Sequence, residues 1–299
     1  MGKNTLVIGG TRFFGLRLVA RLLEGGDRVT LATRGHAPHP FGDRVRHVRV
    51  DRRDAAAMHA AFADADFDLV HDQVCYTPAD ARIAAAVFAG RVRRYVMAST
   101  IEVYAHLAGG SARPFRESDV VAEPGAAPDD PRWADAAWAA ARYGQGKREA
   151  EALLAAAAFP VAAVRIGHVL AGPEDFTGRL AQHVRAARAG AGRGEGRSSF
   201  VDPDTVADFL HWTGRQSFTG AVNAACAGPL SAAELQQRIL GVIGEPPRGD
   251  EGAGTLPFDY PHPYEMDLAR AASLGYRFGR SDVWLPGLIR QHLESESAT

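Results

Sequence analysis

Residues 5–20 read Thr5-Leu6-Val7-Ile8-Gly9-Gly10-Thr11-Arg12-Phe13-Phe14-Gly15-Leu16-Arg17-Leu18-Val19-Ala20, and their reading decides the fold. Thr5–Ile8 is a short apolar run that predicts a strand, and Phe14–Glu24 places apolar residues at helical spacing. The glycines therefore fall at a strand-to-helix turn. Gly9 suits the tight turn, Gly15 lets the helix pack closely on the sheet, and the helix N-terminus presents N–H groups to a pyrophosphate. An ordinary glycine turn is the competing reading, and the order strand, turn, helix weighs against it.

Outward from that start, the alternation continues. Strand-like runs at Arg28–Thr33, Val45–Val50, Asp68–Asp72, Arg94–Ala98 and Val161–Ile166 alternate with helical stretches at Ala55–Ala63, Pro78–Phe88 and a long alanine-rich Ala134–Ala158. Six strands joined by crossovers predict an α/β fold, a doubly wound parallel sheet of the Rossmann kind, with ligands beyond the strands' carboxyl ends. From Gly172 the texture changes to loops that separate helices at Thr177–Ala189, Pro203–Thr213, Ser231–Val242 and Met266–Ser273. Residues 1–171 are expected to form a dinucleotide-binding domain. Residues 172–299 are expected to form a small, interleaved substrate-binding cap, with segments returning to the first domain.

Composition bounds the function. Of 299 residues, 46% are hydrophobic and 23% charged, so a sizeable core can form. The 34 basic and 35 acidic side chains cancel, which argues against nucleic acid or an anionic membrane as a general partner. No apolar run is long enough to span a membrane. Two cysteines, Cys75 and Cys226, make neither a disulfide framework nor a four-cysteine metal site. A cytoplasmic protein without a bound metal is expected.

At the cofactor end, Thr11, Phe13 and Phe14 complete the turn, and Arg12 takes the place where a middle glycine is usual. Arg12 either contacts a phosphate or narrows the site; a solvated turn residue is the bland alternative. Thr33 ends the second strand where an acid would bind the ribose 2′-hydroxyl of NAD, and Arg34 follows. A guanidinium there is a partner for a 2′-phosphate, so NADP is favoured, with NAD as the alternative and a plain surface arginine as the competing reading. Asp51, in Val50-Asp51-Arg52, is placed to accept from an adenine amino group, and Arg52 beside it is expected among the cofactor-binding residues. Gln73 and Val74, in His71-Asp72-Gln73-Val74-Cys75-Tyr76, are expected near the cofactor's ribose and phosphates. Cys75 reads as a buried packing residue.

At the catalytic end, Tyr143-Gly144-Gln145-Gly146-Lys147 sets a phenol and an ammonium four residues apart on one helix face. A nearby cation favours the phenolate, which suits Tyr143 to general acid or base work, and Lys147 can also bind ribose hydroxyls. Ser99-Thr100 follows the fifth strand. Thr100 is the chosen substrate-oxygen partner and Ser99 the neighbour that supports the loop; strand-end capping competes for either. Trp133 and Trp138 either stack on a ring-shaped substrate or pack within the fold, and packing is favoured.

Taken with Arg165-Ile166-Gly167-His168-Val169-Leu170-Ala171-Gly172-Pro173, these motifs resemble the extended short-chain dehydrogenase/reductase superfamily, in its NAD-dependent epimerase/dehydratase branch. The Gly-Gly-Thr-Arg-Phe start resembles an atypical subgroup that includes the chloroplast stem-loop-binding proteins. The resemblance implies Thr100 as substrate-oxygen hydrogen-bonder, Tyr143 as acid/base and Lys147 as its activator and ribose ligand. It implies that Gly167, His168 and Val169 flank the nicotinamide, and that a homodimer pairs through the helix bearing Tyr143. Three departures stand out: Arg12, Ile166 where proline is usual, and Ser198-Ser199 where an arginine often binds substrate phosphates, with Arg197 one residue away.

The expected function is that of an NAD(P)-dependent oxidoreductase or epimerase/dehydratase-type enzyme, which transfers hydride at a secondary alcohol or ketone of a small molecule, with a sugar nucleotide as one candidate substrate. The alternative is a non-catalytic nucleotide-binding scaffold or RNA-associated protein, with Arg185, Arg188 and Arg193 as its basic patch.

Overall fold

Strand β1 (Asn4–Ile8) is buried from Thr5 onward, as an apolar run inside a parallel sheet must be. This computed structural model describes residues 2–110, 113–121, 123, 130–190, 194–247 and 256–297. Helix α1 (Phe14–Glu24) follows β1, buries Gly15, Leu18, Val19 and Leu22, and returns the chain to β2 (Arg28–Thr33) and β3 (Val45–Arg49). The chain then crosses through α2 (Ala55–Phe62), whose Asp54 cap accepts from the Ala57 N–H, to β4 (Leu69–Asp72) on the other side of β1. Helix α3 (Pro78–Phe88) opens with a Thr77/Asp80 capping box and Pro78 in its first turn, and leads to β5 (Tyr95–Thr100).

The expected helix over Ala134–Ala158 is two helices. Asp135 caps α4 (Ala136–Ala141), Arg142 leaves helical geometry, and α5 (Tyr143–Ala155) starts on the tyrosine itself. Strand β6 (Val161–Ile166) follows, and β7 (His168–Val169) pairs in parallel with β8 (Phe200–Val201) after α6 (Arg179–Ala189). Then come α7 (Pro203–Thr213), β9 (Gly220–Ala224), α8 (Ala232–Ile243), α9 (Ala269–Ser273) and α10 (Ser281–Ser297). Neither β9 nor α10 is expected from the sequence.

The large sheet runs β3-β2-β1-β4-β5-β6-β9, and the pairings of β1 with β2 and β4, β2 with β3, and β4 with β5 are parallel. Strand order reverses at β1, so the crevice beyond the carboxyl ends of β1 and β4 is the topological switch point. Two compact units divide the chain. One comprises the chain up to Ala105, Glu117–Arg165 and Val206–Val222; the other comprises His106–Arg116, Ile166–Thr205 and the chain from Asn223 onward. The first has a core that includes Leu6, Ile8, Val70, Met97 and Leu154; the second has one that includes Leu180, Phe200, Leu235 and Ile289. Among the described residues, no helix is long and apolar enough to cross a membrane.

Candidate active site

The turn after β1 has the geometry its glycines suggest. Gly9 and Gly10 take φ of +89° and +97°, and Gly10 lies tightly enough that a Cβ would fall 2.9 Å from Val7. A Cβ on Gly15 would sit 2.4 Å from Gln73 Oε1 and 2.6 Å from Gly10 Cα, so α1 meets β1 and the β4 loop through bare backbone. Phe13, at φ 56°, is a bulky residue in a region that glycine favours, and α1 begins there with no side-chain cap. Gln73 Nε2 is buried and makes no hydrogen bond, and Val74 packs beside Gly9. Arg12 is exposed, while Thr11 and Phe14 are half-buried. A cradle of this kind, with a donor left over, fits a dinucleotide's pyrophosphate.

Farther along the edge, Thr33 Oγ1 accepts from the Gly35 N–H at 3.1 Å and lies 2.8 Å from His47 Nε2, while Arg34 projects into solvent. Asp51 is exposed and accepts from the Arg53 N–H. Arg52 turns inward instead: it is buried, with Nη2 2.6 Å from Asp72 and Nη1 3.2 Å from Asp80. Asp72 also accepts from the Tyr95 hydroxyl at 2.5 Å and from the Val74 N–H, so this buried network fixes the course of the chain from Asp72 to Tyr76. Cys75 lies within it, its thiol pushed up to about 12 by burial and thus inert as a nucleophile.

Tyr143 and Lys147 come together on α5. Lys147 is 1% exposed, donates to the Ala98 carbonyl at 2.6 Å, and holds its ammonium 5.8 Å from the Tyr143 ring centre; Tyr143 itself is 37% exposed. Burial lowers the Lys147 pKa. The two glycines between them press α5 into place. A Cβ on Gly144 would fall 2.1 Å from the Glu102 carbonyl oxygen, and one on Gly146 would fall 2.6 Å from that of Tyr76. Thr100 is buried at the end of β5, and its Oγ1 accepts from the Glu102 N–H at 3.2 Å. Ser99 donates to Glu151 at 2.5 Å, and Glu151 is gripped by the fully buried Arg165, which ties α5 to β5 and β6. Trp133 is buried against Gly146 and edge-on to Trp138, whose ring Arg132 and Arg142 flank at 5.0 and 4.4 Å.

In the second unit, Gly167 lies under Ser199 with no room for a Cβ, and β7 carries His168 and Val169. His168 is buried, stacked 4.0 Å from Phe258 and 3.1 Å from the Tyr260 hydroxyl, and burial pulls its pKa down to about 3. Arg197 forms an ion pair with Glu234. Of the basic patch, Arg188 pairs with Glu296, Arg185 is exposed and Arg193 lies outside the described residues.

Tyr76 is the residue that sequence reasoning passed over. Its ring lies 6.1 Å from that of Tyr143, and the Lys147 ammonium is nearer to it, at 4.6 Å, than to Tyr143. The sequence signals only the lysine: of 34 cationic side chains two, Lys3 and Lys147, are lysines, so position 147 uses a residue the chain otherwise avoids.

Comparison with known proteins gives the family and the fold. A family model described as the NAD dependent epimerase/dehydratase family matches residues 5–223. The chain is similar to the chloroplast stem-loop binding protein of 41 kDa b of Arabidopsis thaliana, 34% identical over 83 residues that cover 23% of this chain and 22% of that protein. It is also similar to 2'-dehydrokanamycin reductase of Streptomyces kanamyceticus, 33% identical over 98 residues that cover 33% of this chain and 28% of that protein. Both matches thus span less than a third of the relatives' own length. In fold it is similar to the UDP-N-acetylglucosamine 4-epimerase of Methanobrevibacter ruminantium M1, solved with UDP-N-acetylmuramic acid, with a TM-score of 0.74, 16% identity and 99% of each chain covered.

Proposed function

The chain belongs to the NAD-dependent epimerase/dehydratase family, enzymes of the extended short-chain dehydrogenase/reductase type, and on that premise we propose that it transfers hydride at a secondary alcohol or ketone of a sugar, free or nucleotide-linked. One observation carries the reading: a half-exposed phenol, Tyr143, stands on the same helix face as a buried ammonium, Lys147, at the carboxyl edge of the sheet. The bound nicotinamide dinucleotide supplies the hydride acceptor and donor. Tyr143 removes the proton from the substrate hydroxyl, or returns it to a carbonyl oxygen, and Lys147 favours its phenolate electrostatically. Thr100 orients the substrate oxygen. Gly9, Gly10 and Gly15 would open the cradle for the pyrophosphate, with Gln73 Nε2 as donor.

NADP is the proposed form, because Arg34 is exposed at the end of β2 where no acid repels a 2′-phosphate. Arg34→Ala should weaken NADP much more than NAD in a fluorescence titration; equal losses would remove Arg34 from that role. A cytoplasmic homodimer paired through α5 is the proposed assembly, and light scattering that reads one chain's mass would refute it. The function itself is tested by following reduced-nicotinamide absorbance over a panel of sugar ketones, sugar alcohols and sugar nucleotides. Turnover on one of them that Tyr143→Phe abolishes is expected. Tight dinucleotide binding with no turnover on any would favour a scaffold.

A further inference from the structure

Lys147 poses a problem that its own helix does not solve. Its ammonium is buried, and among the described residues no carboxylate comes within ion-pairing distance of it. The Ala98 carbonyl satisfies one of its three donors. Burial alone favours losing the proton, yet an uncharged amine could not favour the phenolate of Tyr143. What covers the ammonium is the ring of Tyr76, 4.6 Å away. That ring is itself held by a built network. The Tyr76 N–H donates to Asp80 at 2.9 Å, Asp80 pairs with the buried Arg52, and the Tyr76 carbonyl abuts Gly146, where α5 has no side chain.

We propose that Tyr76 is a positioning residue for the proposed reaction: its ring face seats the Lys147 ammonium and keeps it charged beside Tyr143. An aromatic face attracts a cation most strongly where water is excluded, which is the setting here. The other groups that face Lys147 do not replace it. Asp72 and Asp80, on β4 and α3, both pair with Arg52 and lie beyond ion-pairing distance of the ammonium, so they act on it only from farther away; Cys75 stays a thiol; Tyr143, on the same helix, is farther from the ammonium than Tyr76. The Tyr76 hydroxyl is not needed for this role, so phenylalanine should serve and leucine should not.

The chain's two lysines make the test direct. Protein labelled with 13C at lysine Cε gives two side-chain signals, and Lys3→Arg identifies the one from Lys147. In the wild type, that signal should be displaced upfield by the ring current of Tyr76. In Tyr76→Phe its titration midpoint should stay in place, and in Tyr76→Leu it should fall by about one pH unit or more. The pH above which turnover declines should fall with it. An unmoved midpoint in folded Tyr76→Leu, or an undisplaced Lys147 signal in the wild type, overturns the inference, and the second readout needs no variant to fold. The inference rests on the role proposed for Lys147, but the two fail separately. Wild-type turnover in Tyr143→Phe would sink the function while leaving the Lys147 titration as expected.

Discussion

The two lysines sit toward opposite ends of the sheet, and the contrast between them separates the site proposed to be chemical from one that serves the fold. Each is at least partly buried, each donates to a main-chain carbonyl, and burial lowers the pKa of each: Lys3 reaches the Gly214 carbonyl at 2.9 Å and Lys147 that of Ala98 at 2.6 Å. Around Lys3, before β1, lie charges that close on one another. Asp27 accepts from the Lys3 N–H, the Thr5 hydroxyl and Arg215. Around Lys147 lie two tyrosine rings, both open to solvent on one side. A cation amid carboxylates stabilises the fold. One seated against phenols is proposed here to polarise groups that a substrate can reach.

The largest break in that symmetry should come from removing each lysine in turn. Lys147→Met is expected to cut turnover by about 100- to 10,000-fold, the usual worth of acid–base assistance. Lys3→Met should leave turnover within about twofold and cost about 1 kcal/mol of stability in urea unfolding, the worth of one hydrogen bond. Comparable losses of turnover in both would erase the distinction.

Glycines sharpen it next. Gly144→Ala forces a methyl against the Glu102 carbonyl, so it should destabilise by about 1–3 kcal/mol and displace Tyr143. Gly241 lies inside α8 with no atom near its missing Cβ, and Gly241→Ala should instead stabilise by roughly 0.5–1 kcal/mol and leave turnover alone. The sign of the change in urea midpoint checks both.

Acid should act through three buried histidines, one of them near Lys3. His71, on β4, is held neutral down to about 3 by burial and by the cations His211, Arg215, Arg94 and Lys3. His183 is held to about 4 by burial, as His168 is to about 3. In the unfolded chain each takes up a proton near 6.5, so between there and the folded values the unfolded state binds more protons, and stability falls as the pH falls. The loss is at most about 1.4 kcal/mol per pH unit per group. His71→Leu should lose less stability between pH 7 and pH 5 than the wild type; an equal slope would remove His71 as a cause.

Much of the fold is legible because its boundaries are written in local chemistry. Helices Phe14–Glu24, Pro78–Phe88 and Pro203–Thr213 lie where glycine turns, a Thr/Asp capping box and a leading proline put them. The break at Arg142 is not legible, since neither glycine nor proline marks it. Helix α10 is hidden by Pro286 and Gly287, a pair that reads as a turn. Tyr143 and Lys147 could be found because four residues of helix bring them together. Tyr76 could not, because its place beside Lys147 depends on the close approach at Gly146, far away in sequence.

The central claim is that the Tyr143 phenol moves the proton while hydride crosses. The most direct measurement is single-turnover stopped-flow absorbance of reduced nicotinamide, with wild type and Tyr143→Phe compared at saturating dinucleotide. The account predicts a hydride-transfer rate lower by at least about 100-fold in the variant, with dinucleotide affinity little changed. A variant that transfers hydride at the wild-type rate would contradict it.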